Sequence, residues 1–199
     1  MAGATPKLIK ELRGMTGAGM LDCKNALNET EGDLDKAVQA LREAGLGKAA
    51  KKAGNVAAEG LISIAVNEDN TSATMLELNS QTDFVAKNDN FISLTKEIVS
   101  HAQNNGINDA EALASSSIDG VEFTEFLNGK IATIGENLVA RKVSAVKADV
   151  VNAYVHSNGR VGVLLAATCE DAAKEKNCCF IKKCCNACIC YETFSYCLY

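Results

Sequence analysis

The chain lacks most of what would tie it to a membrane, a secretory route or a nucleic acid. No window approaches the roughly 20 consecutive apolar residues of a bilayer span. The opening segment carries Lys7, Lys10 and Arg13 where a signal peptide needs an apolar stretch, so a cytoplasmic protein is expected. An excess of positive charge is missing too. Twenty Lys and Arg face 25 Asp and Glu, a net charge of −5, which argues against a dedicated nucleic-acid binder. One proline in 199 residues leaves few rigid turns and suits a helix-rich chain. Cysteine is nearly absent until late: Cys23 stands alone, and the other eight of nine fall between Cys169 and Cys197. The chain therefore has two unlike parts. What remains is 47% hydrophobic and 23% charged, enough for a packed core and against wholesale disorder. Its length suits one medium domain, or one domain with a small appendage.

Helical periodicity dominates the first part. Thr5 is a candidate N-cap with Pro6 at the first helical position, and Leu8, Ile9, Leu12 and Met15 recur along one face. Thr16-Gly17-Ala18-Gly19 breaks that helix. A second carries Met20, Leu21, Lys24 and Leu27, and a third, capped by Asp33, carries Leu34, Ala37, Val38 and Leu41. Gly45 is expected to end it at the C′ position. These three helices predict a small bundle of the docking kind. The basic run Lys48-Ala49-Ala50-Lys51-Lys52 reads as a solvated linker or helix face, without the interleaved aromatics of a nucleic-acid site.

From Gly60 the period becomes strand-like. Residues 61–66, a turn over 67–70 and residues 73–78 predict a β-hairpin. After Gln81-Thr82-Asp83-Phe84-Val85-Ala86-Lys87, one of Asn88, Asp89 or Asn90 caps a helix with Phe91, Leu94 and Ile98 on one face. Less regular helical text runs from Asn108 to about Ile134, and 138–146 reads as a strand. A second hairpin follows over 150–156 and 161–167 around Ser157-Asn158-Gly159. A displacement of 89 positions lays the first hairpin on the second, placing Ile64, Val66, Met75, Leu76 and Ser80 on Ala153, Val155, Leu164, Leu165 and Cys169. That pattern predicts an internal repeat and two related halves.

Catalytic signatures are scarce. His101 and His156 are the only histidines; the first reads as a surface helix residue. No nucleophile elbow, zinc-binding helix or P-loop can be written, and Gly17-Ala18-Gly19 sits between helices rather than after a strand. Cys23 reads as a small buried apolar residue. Thr82-Asp83-Phe84-Val85 says more, because it lies at a strand-to-helix junction. On one reading Asp83 caps a turn and Phe84 covers the end of the sheet. On the other, the loop presents an aromatic wedge beside a hydrogen-bonding carboxylate, as interface hot spots do. His156 carries the same two readings, turn solvation or a second contact point.

Thr16-Gly17-Ala18-Gly19-Met20, Asp22-Cys23-Lys24, Ala49-Ala50-Lys51-Lys52-Ala53, the segment from Gln81 to Lys87, Ile134-Gly135-Glu136-Asn137 and residues 154–165 resemble bacterial-type elongation factor Ts. The likeness runs from about Thr5 to about Lys176. It implies an α+β fold with a ubiquitin-associated-like three-helix module over 1–55 and a first core subdomain over 56–149. A second subdomain begins over 150–176 and is left incomplete. The implied activity is guanine-nucleotide exchange on elongation factor Tu, without a bond-making step, a cofactor or a metal of its own. By that likeness Thr82, Asp83, Phe84 and Val85 enter the GTPase near its magnesium, with Phe84 as the wedge and Asp83 bonding to freed partner groups. Arg13 and Met20 are implied contacts of the helical module, and His156 is the second contact point of the core. Nucleic acid and membrane are not implied partners.

Three departures stand out. Ser80 replaces a common cysteine, Leu21 replaces a frequent methionine, and beyond Lys176 the text turns cysteine-rich over 177–199. A wrong reading frame is the plainest expectation for that tail. A thiolate metal site is the rival, although the tail's spacing matches no regular zinc ribbon. The shortened second half is expected to expose an apolar face unless the tail or a second copy, as a homodimer, covers it. Two further functions stay open: a module that binds the GTPase without driving exchange, and a thiol-rich metal-binding protein.

Overall fold

Residues 4–168 and a strand over 195–198 are described by the computed structural model; of the side chains in that strand nothing is drawn. The expectations for the cysteine-rich tail over 177–199, for the stretch 169–176 and for Cys169 in the repeat lie outside the described residues, apart from the backbone of that strand. Helices and antiparallel strands share the chain in an α+β fold of two compact units. The first holds the residues up to Val56 together with Gly120–Asn137; the second holds Ala57–Asp119 together with the chain from Leu138 onward.

In the first unit, α1 (Pro6–Thr16) starts where Thr5 Oγ1 accepts from the Leu8 N–H, and Gly17, at φ 67°, ends it. α2 (Met20–Glu29) and α3 (Leu34–Lys52) follow, the latter capped by Asp33, whose carboxylate accepts from the Lys36 N–H at 3.1 Å. Leu12, Cys23, Ala26, Leu27 and Ala37 form the buried centre, with Leu8, Ile9, Leu34, Val38 and Leu41 packed around it. Cys23 is buried, as a small apolar residue is expected to be. Met15, expected on the face of α1 that carries Leu8, Ile9 and Leu12, is exposed, as are Met20 and Leu21 of α2.

Gly45 does not end α3. The helix runs on to Lys52, so the basic run forms its last turns, where Lys51 and Lys52 meet the negative end of the helix dipole. Gly45 is buried instead, and a Cβ placed on it would lie 3.5 Å from the Ala132 Cβ of α7 (Phe123–Ile134). Close helix packing outweighs the local stop signal.

The second unit is built on two hairpins. β1 (Glu59–Val66) and β2 (Ser72–Ser80) pair antiparallel, and β5 (Val139–Lys147) adds to β2. β6 (Val150–Val155) pairs with β7 (Gly162–Ala167), and β8 (Ser195–Leu198) adds to β7. Between the halves, α4 (Asp83–Ala86) and α5 (Asp89–Asn104) follow β2, with Asn88 as the cap of α5. Phe91, Leu94, Ile98 and Val99 are the buried face of α5. The text from Asn108 resolves into α6 (Ala110–Ala114), a two-residue pair β3 (Ser117–Ile118) and β4 (Val121–Glu122), and α7. His101 is half-buried rather than a surface residue, its Nε2 3.1 Å from Ser116 Oγ.

The 89-position displacement holds at the level of hydrogen-bonded register. Ile64 pairs with Met75 and Ser63 with Leu76; Ala153 pairs with Leu164 and Asn152 with Leu165. The hairpins are also bonded to each other reciprocally. The Ile62 N–H donates to the Gly159 carbonyl at 2.7 Å, and the Val151 N–H donates to the Asn70 carbonyl at 2.6 Å, with Ile62 matching Val151 and Asn70 matching Gly159. Asn70 and Gly159 both have positive φ, 54° and 68°. Ile62, Ala73, Met75, Val151 and Leu164, drawn from both hairpins, share one buried core. It is an internal pair with approximate twofold logic, each turn held by the other's first strand.

Candidate functional site

Thr82-Asp83-Phe84-Val85 leaves the end of β2 in a tight turn. Ser80 Oγ donates to the Thr82 carbonyl at 3.0 Å, and Thr82, extended at φ −123°, is the N-cap of α4. Thr82, not Asp83, therefore caps the helix. The Lys87 N–H returns to the Asp83 carbonyl at 3.1 Å and closes the single turn, while Ala86 is buried beneath it. The backbone of the segment is thus pinned at both ends.

Its side chains divide sharply. Phe84 is 82% exposed, so the reading in which it covers the end of the sheet is wrong. A phenyl ring left in water on a held backbone is the arrangement expected of a contact residue. The Asp83 carboxylate meets Lys87 Nζ at 2.7 Å, four residues on. That hydrogen bond, together with the Lys87 charge, holds the Asp83 carboxyl below the usual carboxylate range, with a minor pull from Arg160. Asp83 is therefore an ionised acceptor at neutral pH. Lys87 was legible only as a flanking residue, although Asp and Lys at i and i+4 on a helical turn are the spacing that forms such pairs.

His156 lies in the same unit, at the turn between β6 and β7, and is exposed. Tyr154 Oη sits 2.9 Å from its Nδ1, and its backbone N–H donates to the Val161 carbonyl at 2.8 Å. Gly159 N–H closes the turn on the His156 carbonyl at 2.7 Å. Arg160 and Glu59, which sequence reasoning passed over, form an ion pair across the two hairpins. Nothing in their spacing signals it, because they stand about a hundred residues apart (|i−j| 101).

Arg13 and Met20 belong to the first unit. Both are exposed, Arg13 in the last turn of α1 and Met20 at the start of α2. A cavity of about 430 Å³ in that unit is lined by Leu41, Gly45, Phe126 and Gly129 among others, and by neither Arg13 nor Met20. Among the described residues no group of three His, Cys, Asp or Glu could hold a metal ion, and no helix is long and apolar enough to cross a membrane.

Comparison with known proteins assigns the chain. The family described as Elongation factor TS matches residues 81–185, which includes the Thr82–Val85 segment and the His156 turn and runs past Lys176. The curated Elongation factor Ts of Aliarcobacter butzleri (strain RM4018) is 78% identical over 176 residues, covering 88% of this chain and 51% of the relative. That of Campylobacter fetus subsp. fetus (strain 82-40) is 56% identical over 173 residues, 84% of this chain and 49% of the relative. That of Helicobacter hepaticus (strain ATCC 51449 / 3B1) is 49% identical over 181 residues, 89% and 51%. The chain spans about half the length of the curated relatives it matches. With a family match over residues 81–185 and relatives of this identity and coverage, the chain belongs to the elongation factor Ts family.

Proposed function

We propose that this chain is a guanine-nucleotide exchange factor that binds elongation factor Tu carrying GDP and speeds the release of the nucleotide. The reading is carried by one observation: Phe84 stands in solvent on a backbone fixed by its neighbours, beside the ionised carboxylate of Asp83. GDP on such a GTPase is held by a phosphate-bridging Mg²⁺ and by P-loop amides. A protein that favours the metal-free form of the GTPase weakens nucleotide binding by the factor with which nucleotide weakens the complex. Phe84 would act by occupying volume near the partner's ion, and Asp83 by accepting hydrogen bonds from groups the displacement frees. Thr82 and Val85 set the turn that presents them. His156, Arg13 and Met20 would supply further grip. In this role the chain makes and breaks no covalent bond, needs no cofactor and acts in the cytoplasm.

The test is the release of labelled GDP from elongation factor Tu, with and without the chain. Acceleration that disappears in Phe84→Ala and Asp83→Ala is the expected result. No acceleration by the parent chain, or variants equal to it, removes the proposal. The rival outcome is that the chain engages the GTPase without driving release. Complex formation in the same mixture, with release unchanged, would select it.

A further inference from the structure

The reciprocal bonding of the hairpins is not equal at its two ends. At one end the turn before β2 is held by two backbone bonds, Val151 N–H to the Asn70 carbonyl and Ala148 N–H to the Thr71 carbonyl at 2.9 Å. The displacement of 89 residues carries these four positions onto Ile62, Gly159, Glu59 and Arg160. At that second end the Ile62–Gly159 backbone bond is kept, but the other backbone bond is replaced by the ion pair of Glu59 with Arg160. This second end is the one that carries His156, three residues before Gly159 in the same closed turn. Glu59 lies directly opposite Ser80 in the β1–β2 register, and Ser80 in turn holds the Thr82 carbonyl. A short physical line therefore runs from the His156 turn through Arg160, Glu59 and Ser80 to the base of the Thr82–Val85 segment.

We infer that Glu59 and Arg160 are positioning residues, whose ion pair fixes the His156 turn relative to the Thr82–Val85 segment so that both meet one partner surface together. The inference rests on the exchange reading above. Two contact points on separate loops bind as one only when their separation is set beforehand; otherwise the cost of ordering falls on the encounter. The surroundings leave the pair as the adjustable part of this joint. Gly159 and Gly162 lie close to the other hairpin: a Cβ on Gly159 would stand 2.6 Å from Leu61 Cδ2, and one on Gly162 2.6 Å from Ile62 Cγ2. Both charged side chains remain partly in water, Arg160 at 51% and Glu59 at 34%, so their loss does not unfold the unit. Asn158 Oδ1 accepts from the Arg160 N–H at 3.0 Å and ties the guanidinium's own backbone to the turn. The weak pull of Arg160 on Asp83 agrees with this placement.

The test uses the full chain with Glu59→Gln, Arg160→Met, both together, and the exchanged pair Glu59→Arg with Arg160→Glu. Either single change should raise the concentration needed for half-maximal GDP release by roughly two- to fivefold, the ceiling for a half-exposed pair. The maximal rate and the thermal midpoint should stay where they are. The double change should be no worse than one, the exchanged pair should recover, and His156→Ala should add little once Arg160 is Met. In the free protein, hydrogen exchange at the Ile62 amide should quicken with Arg160→Met. If Arg160→Met weakens release while Glu59→Gln does not and the exchanged pair fails to recover, Arg160 touches the partner directly and the inference falls. An unchanged Ile62 amide overturns it as well. A parent chain that never speeds GDP release instead removes the exchange reading, and the Ile62 measurement, which needs no partner, separates the two failures.

Discussion

At the scale of single residues, the role proposed for Phe84 and Asp83 can be tested apart from stability. Phe84 is 82% exposed, so truncation removes almost no packing. Phe84→Ala should leave the unfolding free energy within about 0.5 kcal/mol of the parent, as surface changes do. As a hot spot it should still cost about 2 kcal/mol or more of partner binding. Calorimetry and titration of the GTPase check the two halves of that statement. Asp83 makes a pH prediction. Its carboxyl is lowered first by the Lys87 hydrogen bond and then by the Lys87 charge. A lowered folded-state value means that the pair is fully formed above the ordinary carboxylate value of about 4 and is lost as pH falls through the depressed one. Lys87→Met should move the Asp83 titration upward, towards the ordinary value, as read by carbon NMR of its carboxyl. Residue types and the junction at Thr82 were legible in the sequence. The exposure of Phe84 was not, because a phenylalanine after a strand has the same pattern whether it faces core or water; only the burial of Ala86 beneath the turn decides it.

At the scale of elements, caps were the most legible feature. Thr5, Asp33 and Asn88 each begin a helix because a short polar side chain satisfies an orphan amide. Such signals are local, and local chemistry survives tertiary context. Glycine as a stop signal did not survive it at Gly45. That residue sits inside α3 with φ in the helical range, and an added Cβ would make only an ordinary contact with Ala132. Gly45→Ala should therefore stabilise the protein by about 0.5–1 kcal/mol, the helix-interior cost of glycine. A higher thermal midpoint checks it, and a lower one would show that α7 needs the missing methyl. Met15 was misread for a related reason. At helical spacing it was grouped on one face with Leu12, yet Leu12 is buried and Met15 is exposed.

At the scale of the whole molecule, the repeat was visible as a pattern of apolar pairs, and its register proves common to both hairpins. Reciprocal bonding between them could not be read from one chain, since Ile62 and Gly159 carry no mark of each other. Gly162 is the steric test of that joint. A Cβ there would lie 2.6 Å from Ile62 Cγ2 and 2.9 Å from the Met75 sulfur. Gly162→Ala should destabilise by about 1–3 kcal/mol, the usual cost of overpacking, seen as a lowered midpoint in thermal or urea melts.

The glycine-lined seam has a mechanical side. A tip that prises apart a neighbouring protein transmits an equal recoil into whatever stands behind it, and a yielding mount would absorb the work. Here the mount is two hairpins bonded to each other at both turns, Ile62 to Gly159 and Val151 to Asn70. If Phe84 acts as the wedge proposed above, recoil there is shared across both of them.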